Sequence, residues 1–240
     1  VVTTLSLAGF GNIEMVREQE KPDGAFPTCP FPNPEIREAL QYGLNLCAVE
    51  KPDLLLATDP DCDRVGVAVR DGEDYRLISG NEMGVLLLDF ICKMRIANGT
   101  MPAEPLAVKT IVTTEMARKV ALANGIACYD TFTGFKFIAE KKNALEESGE
   151  GKVIFSYEES YGYMLGSYVR DKDAVTASML IAEMAADYKT QGKTLADHMM
   201  ELYQAYGFMA ATLQSVVFAT PEIKEKCQQK LAEIKTAPPT

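Results

Sequence analysis

In LLLATDPDCDRVGVAV, residues 54 to 69, an apolar run drives into three carboxylates and then resumes as a second apolar run. Asp59, Asp61 and Asp63 occupy alternate positions. In an extended loop their side chains would point one way while Pro60 and Cys62 point the other. Like charges gathered so closely repel unless a cation lies between them. Hard oxygen donors, with no histidine or thiolate ligand spacing nearby, suit Mg²⁺ or a similar divalent ion whose shell is completed by water or substrate. Arg64 follows directly, a fixed cation able to hold a phosphate beside the metal.

Other chemistries compete for this stretch. A solvated acidic turn between two strands needs no metal at all. An EF-hand loop would want Gly where Arg64 stands and Glu where Arg70 stands, so it fails at both. An aspartyl phosphatase loop also follows an apolar strand with Asp-x-Asp and would make Asp59 a nucleophile. It usually carries Thr or Val where Asp63 lies.

A second group of reactive residues lies in SYEESYGYMLGSYVRDKDA, residues 156 to 174. Glu158 and Ser160 would share one face of an extended segment, and a carboxylate beside a hydroxyl suits sugar hydroxyls. Gly162 and Gly166 let the backbone come close to a ligand. Downstream, Arg170 and Lys172 supply cations among Asp171 and Asp173, and such a lysine can donate a proton or contact phosphate. An exposed helix start with acids placed for the dipole explains RDKD equally well. In DTFTGFKFIAE, residues 130 to 140, Thr133 and Gly134 make a tight loop ahead of a helix. Its amides could meet a sugar or phosphate oxygen, or it could be an ordinary capped loop.

The elements that must hold these residues read as α/β. Pro-rich PTCPFPNP, residues 27 to 34, is extended loop. Asn33 and Pro34 are then placed to cap and open a helix whose apolar face is Ile36, Leu40, Leu44 and Cys47. The strand at residue 54 follows, and RDGEDYR turns the chain back in a hairpin. From residue 80 a new alternation begins. It runs through an apolar helix, the strand LAVKTIV, a helix stopped at Gly125, the short strand ACYD, a helix after TGFKF, and the strand KVIFSYEE. A long helix after RDKD and another capped by Thr194 complete it. Past Tyr206 the segment TLQSVVFA has strand character, and Thr220-Pro221 opens a last helix. The expected fold class is α/β, with two consecutive domains of mixed sheets flanked by helices. A metal-binding domain spans 1–80, a sugar-binding domain 81–205, and a linker strand and helix 206–240.

The 240 residues are 47% hydrophobic, enough for sizeable cores, and the net charge of -10 argues against a nucleic-acid or anionic-membrane surface. No apolar run approaches the roughly 20 residues of a membrane span. Six cysteines without CxxC or framework spacing read as reduced thiols, which places the expected compartment in the cytoplasm. VVTTLSLAGF opens without Met and in mid-pattern, so the chain is expected to be cut from something longer.

Together DPDCDR, TGFKF, YEESYG and RDKD resemble, in order and rough spacing, the α-D-phosphohexomutase family of phosphoglucomutases and phosphomannomutases. EKPDGAFPTCPFPNPE resembles the family's run ahead of the last strands of its metal domain. The resemblance covers nearly the whole chain and implies the family's second and third domains. It implies that Asp59, Asp61 and Asp63 bind Mg²⁺ and that Arg64 positions the phosphoryl group. Glu158 and Ser160 would grip sugar hydroxyls, Thr133 and Gly134 would sense the sugar, and Lys172 would be the acid/base. Arg170, in the basic segment, would be a further substrate contact. The implied activity interconverts 1-phospho and 6-phospho sugars through a bisphosphorylated intermediate. EESYG is closer to glucose-type enzymes than to dual glucose/mannose ones, with phosphomannomutase and phosphopentomutase specificity still open. The family's Ser-His-Asn-Pro phosphoserine loop has no counterpart, since the only histidine, His198, follows no serine. The phosphate loop of the family's fourth domain is likewise unmatched. The expected fragment is therefore an inactive middle portion, lacking the first and fourth domains of its parent. Two alternatives remain: a non-catalytic module that binds phosphosugar or metal, and a metal-dependent phosphatase using Asp59.

Overall fold

A computed structural model describes residues 1–166, 168–212 and 218–237. Most of the strand expected at TLQSVVFA lies outside these described residues. The chain divides into two compact units, Val1–Met209 and Ala210–Thr240. In the second, a helix spans Pro221–Thr236. It is capped by Thr220 with Pro221 in its first turn, and Ile223, Leu231 and Ile234 on it are exposed.

The first unit holds two sheets. One is antiparallel, in the order β1 (Leu54–Thr58), β2 (Val65–Asp71), β3 (Asp74–Ile78). The other is mixed, with β4 (Pro105–Thr110) between β5 (Ala127–Thr131) and β6 (Lys152–Glu158). Both β4 pairings are parallel, and β7 (Gly162–Leu165) runs antiparallel along β6. Helices flank both sheets: α1 (Val2–Leu7), α2 (Gln41–Glu50), α3 (Gly80–Ala97), α4 (Met116–Ala123), α5 (Phe135–Glu147), α6 (Ala174–Thr190) and α7 (Leu195–Tyr206). The expected α/β class with helix-flanked sheets is what forms.

Strand β2 explains why VGVAV is apolar at every position. Val65, Val67 and Val69 face the main core with α3, α4, α6 and α7, while Ala68 meets Leu40 and Leu44 on the opposite side. A strand covered on both faces loses the alternation of a half-exposed one. On the second sheet, Leu106, Val108 and Val153 pack under α5 with Phe135, Ile138 and Leu145, and the other face joins the main core.

The helix expected to open at Asn33-Pro34 starts later. A 3-10 turn covers Arg37–Leu40 before α2 begins at Gln41. Asn33 is occupied otherwise: its side chain accepts the N–H of Glu35 at 3.0 Å, a local turn that competes with helix capping. Leu40, Leu44 and Cys47 are buried as expected, whereas Ile36 is exposed.

Candidate active site

The acidic loop connects β1 to β2. It is a tight turn and not the extended segment expected: Cys62 N–H donates to the Asp59 carbonyl at 3.0 Å, and Cys62 takes a left-handed φ of 59°. The carboxylates converge all the same, with one oxygen each from Asp59, Asp61 and Asp63 within 4.8 Å of one another. Asp59 is buried, Asp63 half-buried and Asp61 exposed. Carboxylate oxygens alone, crowded to this degree, fit a hard divalent cation such as Mg²⁺.

Asp59 organises the turn. Its Oδ1 accepts the N–H groups of Asp63 and Arg64, both at 3.0 Å, and its Oδ2 accepts Arg64 Nε at 2.7 Å. Burial would raise its pKa, but hydrogen bonds from the Arg64 backbone and guanidinium together hold it below the ordinary carboxylate value. Asp63 behaves oppositely: burial raises it, and the neighbouring Asp59 adds to that, against the pull of Lys172.

The second wall of the site is the β6–β7 hairpin. A bulge on β6 aims it: Leu106 pairs with Val153 but Ala107 with Phe155, so Ile154 is extra. Below the bulge Val153 faces α5, whereas above it Phe155 and Tyr157 face the main core. Glu158, next after Tyr157 and so on the opposite face, is thereby directed toward the N-terminus of α5, where its Oε1 accepts the Gly134 N–H at 2.7 Å. Burial raises the Glu158 pKa, with this amide opposing the shift. Glu158 Oε2 and Ser160 Oγ have no hydrogen-bond partner among the described residues. Ser160 lies in the turn after β6, not on an extended face with Glu158 as expected. That turn rests on Gly80, where any Cβ would come within 2.0 Å of the Glu159 carbonyl oxygen.

The two walls meet. Arg64 forms an antiparallel bridge with Gly162, and Val65 N–H donates to the Tyr161 carbonyl at 3.2 Å. Ala174 N–H, at the start of α6, donates to the Cys62 carbonyl at 3.0 Å. Lys172 spans the junction, its Nζ 2.5 Å from Asp63 Oδ2, and its stem crosses Gly162 so closely that a Cβ there would lie 2.5 Å from Cδ. Burial would lower the Lys172 pKa, but Asp63 prevails and raises it, with Glu158 contributing. The ammonium is therefore a standing cation between the acidic loop and the Glu158 hairpin.

Of the other expected residues, Gly134 meets Glu158 through its amide, which is thereby already engaged, and Thr133 directly precedes it. Arg170 is exposed and its guanidinium bonds Asn143 on α5 instead of joining Lys172. Several participants were not expected. Arg64 Nη1 reaches Asn33 Oδ1 and Glu35 Oε1, each at 3.3 Å. Burial raises the half-buried Glu35 against the pull of Arg64. Glu159 accepts from Thr110 at 2.9 Å and Thr113 at 3.2 Å, anchoring the turn to the end of β4. Asn33 and Glu35 sit far from the motif in sequence, and only the NPE run hinted at them.

Comparison with known proteins places these features in a family. Residues 79–206 match the pattern described as phosphoglucomutase/phosphomannomutase, alpha/beta/alpha domain III, and residues 1–72 match domain II. A phosphoglucomutase from Staphylococcus aureus (strain MRSA252) is 35% identical over 98% of this chain. The chain spans 42% of that relative's length. Among solved structures, a candidate phosphomannomutase from Thermus thermophilus is 26% identical with a TM-score of 0.58, covering 74% of this chain and 36% of that one. A phosphoglucomutase/phosphomannomutase family protein from Burkholderia thailandensis shares the fold at 20% identity and a TM-score of 0.58, covering 75% of this chain and 35% of that one.

Proposed function

The chain belongs to the phosphoglucomutase/phosphomannomutase family, and on that premise we propose that it is the metal- and sugar-binding part of a phosphosugar mutase, with glucose phosphates as the preferred substrates. The observation that carries this reading is the junction at Lys172, where the acidic loop and the Glu158 hairpin are joined. The 35% identity to a phosphoglucomutase supports glucose over mannose, as does the EESYG hairpin.

In this reading Asp59, Asp61 and Asp63 hold Mg²⁺, which would neutralise charge gathering on the transferred phosphoryl group. Arg64 contacts a phosphoryl oxygen through the part of its guanidinium that Asp59 leaves free. Glu158 Oε2 and Ser160 Oγ accept sugar hydroxyls, and the Thr133–Gly134 loop shapes the space beside Glu158. Lys172 donates a proton to the departing sugar oxygen, consistent with the ammonium that Asp63 maintains. Arg170 joins the substrate only by leaving Asn143.

The same reading divides the chain into a metal domain over 1–80, a sugar domain over 81–205 and a connecting segment over 206–240. The matched segments, 1–72 and 79–206, support that division. Six free cysteines support a reducing, cytoplasmic compartment. No helix among the described residues is long and apolar enough to cross a membrane.

Calorimetry with glucose 6-phosphate in Mg²⁺ tests the proposal. Saturable binding that Glu158→Ala abolishes, with Mg²⁺ binding retained, is the expected result. Absence of any phosphosugar binding, or equal loss of sugar and metal in Glu158→Ala, would overturn it.

A further inference from the structure

Contact with a phosphate oxygen through a long, freely rotating arginine loses much of its benefit to the entropy of ordering the side chain. Arg64 is not free. Its Nε donates to Asp59 at 2.7 Å, and its Nη1 donates to Asn33 and Glu35 at 3.3 Å each. Its Nη2 has no hydrogen-bond partner among the described residues.

The two Nη1 acceptors are held by the same small turn. Asn33 Oδ1 also takes the Glu35 N–H at 3.0 Å, and the Asn33 carbonyl takes the Ile36 N–H at 3.0 Å. Pro34, between them, is buried against β2 at Gly66, where a Cβ would lie 2.5 Å from the Pro34 carbonyl oxygen. Gly66 follows Arg64 by two positions on the same chain segment. The segment that presents the arginine thus also seats the turn that restrains it. Glycine is required at that seat because the obstruction is backbone.

We infer that Asn33 and Glu35 are positioning residues for Arg64: they fix the guanidinium so that Nη2 is presented to a phosphate oxygen of the substrate. The inference rests on the phosphate-contact role proposed for Arg64. Neither residue touches the substrate; each acts through the guanidinium. A pinned arginine is preorganised, so the ordering cost is met in folding and not in binding.

The Nε–H resonance of Arg64 in the ¹⁵N-labelled chain, assigned by its loss in Arg64→Lys, reports the restraint with no ligand present. Glu35→Ala should shift or broaden it and speed guanidinium rotation, and Asn33→Ala should do the same. Glu35→Ala should also weaken glucose 6-phosphate binding about three- to tenfold while Mg²⁺ affinity stays within about twofold. Glu35→Gln keeps an acceptor in place and should restore most of both readouts. An unchanged Arg64 resonance in Glu35→Ala would overturn the inference, even if the melting temperature falls. Tighter glucose 6-phosphate binding would overturn it too, because Glu35 would then be a competitor for the phosphate. If the unmodified chain binds no glucose 6-phosphate, the phosphosugar reading fails, and the resonance alone still decides whether the restraint exists.

Discussion

Lys172 Nζ lies 2.5 Å from Asp63 Oδ2, so the basic segment before α6 closes onto the acidic loop after β1. A cation entering that loop must share Asp63 with the lysine. Lys172→Met keeps the apolar stem over Gly162 and removes the charge. It should tighten Mg²⁺ binding by roughly tenfold, because a competing positive charge is gone. Titration calorimetry checks this; unchanged or weaker Mg²⁺ binding would show that Asp63 is no ligand.

Glu158 contributes to stability with the opposite sign to most carboxylates. Its folded pKa is raised above the ordinary 4.5 by burial, so the protonated form favours the fold. That contribution is full below pH 4.5 and is lost as pH rises through the folded value. Glu158→Gln can still accept the Gly134 N–H and has no charge to bury. Its melting temperature should exceed that of the unmodified chain at about pH 7, with the gap closing toward about pH 4. A lower melting temperature at neutral pH would mean that the Glu158 charge is stabilised by contacts stronger than those described here.

Asp89 carries the more usual sign. Buried on α3, it meets Lys93 at 2.7 Å and His198 of α7 at 2.9 Å. Burial would raise its pKa, but these partners lower it below the ordinary 3.8. Its contribution is therefore present above pH 3.8 and lost as pH falls through the folded value. Asp89→Asn should cost about 2–4 kcal/mol at neutral pH, since His198 and Lys93 keep an amide oxygen to bond but lose the negative charge they share. Urea denaturation across pH should show that the difference shrinks in acid; a constant difference would contradict the linkage.

Gly80 and Gly84 on α3 have different neighbours and should fail differently. A Cβ on Gly84 would lie 1.9 Å from the buried Tyr157 ring, while one on Gly80 would strike the Glu159 carbonyl at 2.0 Å. Gly84→Ala should lower stability by about 1–3 kcal/mol through overpacking. Gly80→Ala should displace the Glu159–Tyr161 turn and weaken glucose 6-phosphate binding as well as the fold. Chemical denaturation paired with ligand titration separates the two; intact sugar binding in Gly80→Ala would show that the turn does not depend on this seat.

The motifs were legible because their chemistry is written in consecutive residues: DPDCDR needs no partner to declare three acids and an arginine. Strand β2, the β2–β3 hairpin, the apolar helix α3 and the Thr194-capped helix α7 could likewise be read from local pattern. What escaped was set by tertiary contact. The short strand β7 depends on pairing with β6, and the bulge at Ile154 that turns Glu158 toward Gly134 has no local signature. Asn33 has a side chain suited to capping a helix, and the local pattern alone points to that role. It serves Arg64 and Glu35 instead, and the bond to Arg64 crosses 31 residues of sequence that no local pattern links.

The central claim is that the three aspartates after β1 hold a divalent cation, and Mn²⁺ titration followed by electron paramagnetic resonance addresses it most directly. Asp61 is exposed and has no hydrogen-bond partner among the described residues, so Asp61→Asn changes the donor set without disturbing the turn. One Mn²⁺ site displaced by Mg²⁺, weakened about tenfold or more in Asp61→Asn with an unchanged circular dichroism spectrum, is the predicted result. Equal Mn²⁺ affinity in the two proteins, or no site in either, would contradict the account.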